Sequence, residues 1–192
     1  MFEGDINVKE SSAKVKLESW YKNNMTSYTS QLEDIGFCND RTYYNFNTSG
    51  WNKDYSNYDK WLFFSSIQRL SNRKPSLVCP RQVDKFTVGT DNGNGKLTYP
   101  VGMITAEEMA YAGGVIWQTN TSYYLYNGVH NWSFSPSTFD AVGAYEFDLR
   151  SSGLFSLNYV YTSCGVRPVI SLKNGTVLSS GSGTSSSPYI VE

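Results

Sequence analysis

Asn131-Trp132-Ser133-Phe134-Ser135-Pro136 and Gly165-Val166-Arg167-Pro168-Val169-Ile170-Ser171-Leu172 bracket the stretch whose reading decides the fold. Trp132 starts a strand, and Val166, Val169, Ile170 and Leu172 make the most hydrophobic strand of the chain. Between them, Phe139, Ala144, Phe147, Leu149, Leu154, Leu157 and Val160 read as anchors set among small and polar residues, with a turn at Ser151-Ser152-Gly153. From Ser133 to Cys164 there is no Lys, Met, Gln, Trp, His or Ile. Tyr and Phe supply rigid contact area at low entropy cost, and Ser, Gly and Asn adapt their hydrogen bonds, the mixture of an antibody contact loop. An ordinary Tyr/Ser-rich β region has the same composition, so both readings stay open at this level.

Upstream, the clearest local signal is Thr105-Ala106-Glu107-Glu108-Met109-Ala110-Tyr111-Ala112-Gly113. Thr105 and Glu108 form a capping box, two acidic residues sit at the positive end of the helix dipole, and Gly113 ends the helix. Ser11 or Ser12 caps an earlier helical stripe through Leu17, Trp20, Tyr21, Met25, Tyr28, Leu32 and Ile35, as one helix or as two broken near Met25-Thr26. Ile6 and Val8 suit a short edge strand, and residues 37–60 an ordered aromatic loop. Tyr58 to Leu70 fits a short helix ahead of Pro75, and Leu77-Val78-Cys79-Pro80 an extended piece. Phe86-Thr87-Val88 and Leu97-Thr98-Tyr99 read as a hairpin around a Gly/Asn turn. Counted from Asp91, that turn has Gly93 and Gly95 where a calcium loop needs ligands, so it is read as a plain turn. Tyr123-Tyr124-Leu125-Tyr126 is strand-like before the Asn127-Gly128 turn, and Asn174-Gly175 and Tyr189-Ile190-Val191 close the chain as a turn and a strand.

The 192 residues suit a single domain spanning 1–192, with no internal repeat or linker. A net charge of -1 offers no nucleic-acid footprint, and no apolar run is long enough to cross a bilayer. No secretion signal opens the chain. Cys38 and Cys79 sit in loop-like surroundings and read either as a disulfide or as two buried thiols; Cys164 is the odd thiol, free in the contact surface. Five Asn-x-Ser/Thr sequons, at Asn24, Asn47, Asn120, Asn131 and Asn174, are what an Asn/Ser/Thr-rich chain gives by chance.

Little resembles a catalytic apparatus. His130 is the one histidine, so Ser-His or Cys-His chemistry has to run through it; it is read as a surface or contact-loop residue. Asp140, Glu146 and Asp148 supply carboxylates without a partner nucleophile, Glu107 and Glu108 are explained by capping, and Arg167 is read as structural. No metal cluster, phosphate loop or dinucleotide fingerprint is present, so no metal and no cofactor is expected.

The Trp-Ser-x-Ser-Pro and Gly-Val-Arg-Pro segments together resemble the C-terminal domains of bacterial and phage variable proteins diversified by retroelements, which have a C-type lectin fold of the formylglycine-generating-enzyme type. The front half, through Ser19-Trp20-Tyr21, Gly36-Phe37-Cys38-Asn39-Asp40-Arg41, Cys79-Pro80 and Tyr111-Ala112-Gly113-Gly114, is similar to the pilin-like and surface-anchored proteins that carry such domains. The resemblance implies an α+β C-type lectin fold, with two helices packed on a twisted, mostly antiparallel sheet and long ordered loops. It implies a non-enzymatic adhesion domain, at the cell surface or outside the cell, a monomeric module of a larger protein that binds a protein or glycan of another cell or host. Its substitutable contact positions would be Val129, His130, Asn131, Phe134, Thr138, Asp140, Val142, Tyr145, Glu146, Arg150, Phe155, Asn158, Tyr159, Tyr161 and Ser163. Its fixed frame would be Trp132, Ser135, Pro136, Phe139, Ala144, Phe147, Gly153, Leu154, Val160 and Gly165. The missing Lys, Met, Gln and Ile agree with the adenine-directed codon change of that family. The enzyme family's catalytic cysteine pair and the Glu-Pro-Asn calcium motif of sugar-binding lectins have no counterpart. A structural minor pilin or fibre subunit, and a divergent enzyme, are the competing readings.

Overall fold

The structure, a computed structural model, describes residues 10–44, 62–140, 142–184 and 186–191. The strand expected at Ile6–Val8 and most of the 37–60 loop lie outside these residues. The chain is α+β, with few helices and almost entirely antiparallel pairing.

Helix α1, Ser12–Asn24, is capped by Ser11, whose hydroxyl accepts the Lys14 N–H. A 3₁₀ turn, Thr26–Gln31, follows, so the apolar stripe is broken at Met25 as one of the two readings had it. Strands β1 (Phe37–Cys38) and β2 (Tyr43–Tyr44) come next, then β3 (Leu62–Phe64) and helix α2 (Ser65–Ser71). Of the helix expected from Tyr58 to Leu70, the described residues from Leu62 to Phe64 are a strand and only those from Ser65 are helical: β3 is held between β2 and a later strand, and ladder hydrogen bonds outweigh the helical spacing of its apolar residues. Strand β4 (Lys85–Phe86) pairs with β1. The expected 86–99 hairpin does not form as a ladder. The loop folds on Thr87 instead, whose Oγ1 donates to the Gly89 carbonyl and accepts the Gly95 N–H.

Strand β5 (Gly102–Met103) leads into α3 (Ala106–Tyr111), which carries the full capping box. A side chain at Gly102 would meet the Phe37 ring at 2.3 Å, so this position admits only hydrogen. Tyr123–Tyr126 is a turn, with the Tyr126 N–H on the Tyr123 carbonyl, because the Tyr123 ring buries inward and takes the segment out of any sheet. Strands β6 (Asn131–Phe139), β7 (Ala144–Leu149) and β8 (Phe155–Tyr159) complete a five-stranded sheet of order β2-β3-β6-β7-β8. The hydrophobic 166–172 run yields only β9 (Pro168–Val169), paired with β5. Finally β10 (Leu178–Ser180) pairs with β11 (Ile190–Val191).

The long sheet is buried on both faces. Phe147, Leu149 and Phe155 meet Ile67, Leu70, Met109 and Ile116 from the α2/α3 side. On the other face Trp132 joins Leu17, Tyr21, Leu32, Val101 and Met103 under α1. Strand β6 shows the logic in its alternation: Trp132 and Phe134 go to the α1 side, while Ser133, Ser135 and Ser137 are buried toward the helices. Small hydroxyls let α3 sit close, and Ser135 Oγ accepts the Ala106 N–H and donates to Glu107. Arg69 of α2 ties this layer to the β1–β2 loop, its guanidinium bonded to Asp40 and Glu107. Burial opposes that charge, and the two carboxylates outweigh it, holding the guanidinium above its ordinary value. Glu107 is therefore an ion-pair partner and hydrogen-bond acceptor, beyond the capping role expected for it. The Cys38–Cys79 disulfide is formed.

Candidate functional site

The two motifs that bracket the 137–164 stretch meet in space. The Trp132 N–H donates to the Gly165 carbonyl and the Gly165 N–H to the His130 carbonyl, a short parallel bridge where the other pairings among the described residues are antiparallel. A Cβ at Gly165 would stand 2.9 Å from Asn131 Oδ1, which explains the glycine. Arg167 donates to the Leu125 carbonyl at 2.8 Å, the structural role expected of it.

At the end of the β7–β8 pair beside the β6–β7 turn lies a ladder of tyrosines. Tyr145 and Tyr159 are register partners with ring centroids 4.1 Å apart, and Tyr161 stacks on Tyr159 at 4.8 Å. The ladder runs from inside to outside: Tyr145 is buried, Tyr159 half-buried and Tyr161 72% exposed. Asp140 fixes its base by accepting the Val142 and Gly143 N–H groups and the Tyr145 hydroxyl. Burial first, then hydrogen bonding with Tyr159 and Asp140, raise the Tyr145 phenol above its ordinary value. Val142, 74% exposed, stands on the neighbouring turn.

The fifteen expected contact positions do not form one surface. Val129, Val142, Tyr161 and Ser163 are exposed, and His130, Phe134, Glu146, Arg150, Asn158 and Tyr159 are half-buried. Asn131, Thr138, Asp140, Tyr145 and Phe155 are buried, which corrects their expected outward placement. Phe155 pairs with Leu149 on the helix side of the sheet and is 1% exposed, and Thr138 is held between Phe63 and Tyr145. The Asn131 amide donates to Asn127 Oδ1 and to the Val129 carbonyl, so it braces the turn. Asn158 Oδ1 accepts from Thr162 and the Tyr159 N–H, fixing the turn after β8. Conversely Val160, expected in the frame, is exposed. Val142, Tyr145, Tyr159 and Tyr161 share one end of the β7–β8 pair; Asn131, Arg150 and Phe155 lie at the other.

His130, Asp148 and Cys164 converge, but in an order that does not activate the thiol. His130 Nε2 lies 2.5 Å from Asp148 Oδ2 and 3.4 Å from Cys164 Sγ. A nucleophilic triad uses the two ring nitrogens separately, one for the acid and one for the nucleophile. Here Nε2–H donates its hydrogen bond to the acceptor-only Asp148 carboxylate, so that nitrogen has no lone pair for the thiol proton. Burial, and then the Asp148 charge, push the Cys164 thiol up to about 11 against the opposing pull of Arg150. Asp140 accepts the Val142 and Gly143 N–H groups, Asp148 is bonded to His130, and Glu146 lines the cavity described next.

Glu146 follows Tyr145 on β7 and so faces the opposite side of the sheet. It lines a cavity of about 520 Å³ between the sheet, α1, Phe86 and Met103, with Trp132, Phe134 and Cys164 beside it. Burial raises the Glu146 carboxyl to about 7.

A residue not among the expected positions is Trp117. It is 54% exposed and holds φ at 66°, fixed by its N–H on the Phe155 carbonyl. A non-glycine residue in left-handed backbone is strained, and strain of this kind collects at functional surfaces. Only a tryptophan at the end of Gly113-Gly114-Val115-Ile116 hinted at it in the sequence. No family model, curated protein or solved structure matches this chain.

Proposed function

We propose that this chain is a non-enzymatic recognition domain with the C-type lectin fold of retroelement-diversified variable proteins, displayed outside the cell, and that it binds a protein or glycan through the tyrosine end of β7–β8. The observation that carries this reading is the ladder from buried Tyr145 to exposed Tyr161: the inner ring fixes the outer ones, so large apolar area is offered to a partner already ordered. The deactivated arrangement of Cys164 against His130 supports a binding rather than a catalytic role. The disulfide suits an oxidising, extracellular compartment. Among the described residues no helix is long and apolar enough to cross a membrane.

The test is capture of the full chain on arrays of glycans and of bacterial and host surface proteins, then titration of the strongest binder. Tyr159→Ala with Tyr161→Ala is expected to weaken binding by at least about tenfold, the scale of one lost aromatic anchor, with the unfolding transition retained. Undiminished binding by this double variant would overturn the assignment of the surface. Self-association in sedimentation, removed by the same pair of changes, would favour a structural fibre subunit instead.

A further inference from the structure

We propose that the cavity between α1 and the sheet is a binding site for a small amphiphilic amine, its ammonium held by the Glu146 carboxylate and its apolar body seated against Trp132, Phe134 and Phe86. At about 520 Å³ the cavity falls inside the range of small-molecule sites, roughly 300–1,000 Å³. Its walls combine aromatic rings, among them the edge-to-face Phe86–Phe134 pair at 5.3 Å, with aliphatic Leu17, Val101 and Met103.

The acids and the other cations around this space are already committed, apart from Glu146 and the solvent-exposed Lys16. On α1, Lys14 pairs with Glu10 and Glu18, and Glu18 also accepts from the Thr98 N–H and hydroxyl. Lys16 also lines this space from α1, exposed to solvent and with no ion pair among the described residues. Past β1, Arg41 Nε donates to Asp84 at 2.6 Å. Lys96, from the loop before β5, has a partner of its own. The Cys164 thiol, from the segment after β8, is held protonated and contributes no charge. The Glu146 carboxylate remains, and among the described residues no hydrogen bond or ion pair meets it.

A carboxylate in such a place selects its ligand by sign. An anion is repelled, and a neutral apolar molecule leaves the acid unsatisfied. An ammonium forms a charge-assisted hydrogen bond with it while neighbouring ring faces favour the same cation. Because the empty site holds its proton up to about pH 7, amine binding must expel that proton when the solution is more acid than this. Apparent affinity then falls about tenfold per pH unit below 7, about thirtyfold between pH 8 and pH 5.5.

This site is separate from the tyrosine surface, since Glu146 and Tyr145 face opposite sides of β7. The experiment is calorimetric titration of the full chain with 3-phenylpropylamine, 3-phenylpropanol and 3-phenylpropanoate at pH 8 and pH 5.5. The amine is expected to bind at pH 8 at least tenfold more tightly than the alcohol, the acid not at all, and the pH 5.5 measurement to show the thirtyfold loss. Glu146→Gln should remove the preference for the amine, while Tyr159→Ala with Tyr161→Ala should leave it intact. A second readout needs no variant: the carboxyl carbon signal of Glu146 in ¹³C-glutamate-labelled protein should titrate near 7 and move to lower pH with the amine present. Absence of amine binding, equal affinity for amine and alcohol, or an unmoved Glu146 titration would each overturn the proposal.

Discussion

Glu146 shows how much a single residue owes to its surroundings. A glutamate ordinarily titrates near 4.5, and burial raises this one to about 7. The folded state therefore binds a proton that the unfolded chain releases between these values, so stability falls as pH rises through that window and the loss is complete above 7. Glu146→Gln removes the titration: urea unfolding should show wild type and variant alike at pH 4, and the variant more stable by about 1–3 kcal/mol at pH 8. The tyrosine ladder carries a related lesson. Tyr145, Tyr159 and Tyr161 look equivalent as sequence letters, yet Tyr145 is buried and hydrogen-bonded to Asp140 while Tyr161 is open to solvent. Only the outer two can be removed to probe recognition without disturbing the fold.

At the scale of elements, legibility follows locality. The capping box of α3 is contained within four residues, Thr105 to Glu108, and it forms as its sequence dictates, with Thr105 Oγ1 accepting the Glu108 N–H and the Glu108 carboxylate accepting the Thr105 N–H. Thr105→Ala should cost about 1 kcal/mol in denaturant unfolding, with Thr105→Ser recovering most of it. Strand β3 is the opposite case. Leu62, Phe64, Ile67 and Leu70 have helical spacing, but Leu62 and Phe63 pair with Phe139 and Thr138, residues more than seventy positions away. Local periodicity carries no information about that partner. The hydrophobic 166–172 run is a strand over only two residues for the same reason: it meets β5 only at Pro168 and Val169, because β5 is itself two residues long.

At the scale of the whole molecule, two cross-links join the layers. The Cys38–Cys79 disulfide closes a separation of 41 residues. On the loop-closure relation its loss should cost about 4 kcal/mol, so a reducing agent or Cys38→Ser with Cys79→Ser should lower the urea midpoint markedly. Arg69 joins the second cross-link to Asp40 and Glu107, both carboxylates almost completely enclosed. Arg69→Ala leaves two buried acids without their counter-ion, and the expected loss is about 3–5 kcal/mol at neutral pH. Urea unfolding at pH 7, set against Arg69→Lys, checks the size.

By itself the sequence determined a cap at Ser11 or Ser12, the capping box at Thr105, a strand starting near Trp132 and the turns at Gly113, Gly128 and Gly175, because each depends on neighbours a few residues away; the α+β class was implied by the family resemblance. It also marked 129–164 as chemically unusual, and offered Cys38 with Cys79 as one of two readings. Only the tertiary structure decided which of the marked residues face outward. Two register shifts in the β6–β7 pairing change which side chains share a face, turning Thr138 inward beside Tyr145 and leaving Glu146 on the cavity side. It also brought His130, Asp148 and Cys164 onto a single ring nitrogen, and placed α1 over Trp132 to enclose the cavity. These are contacts between segments distant in the chain. Their geometry comes from packing, which the order of residues constrains but does not spell out.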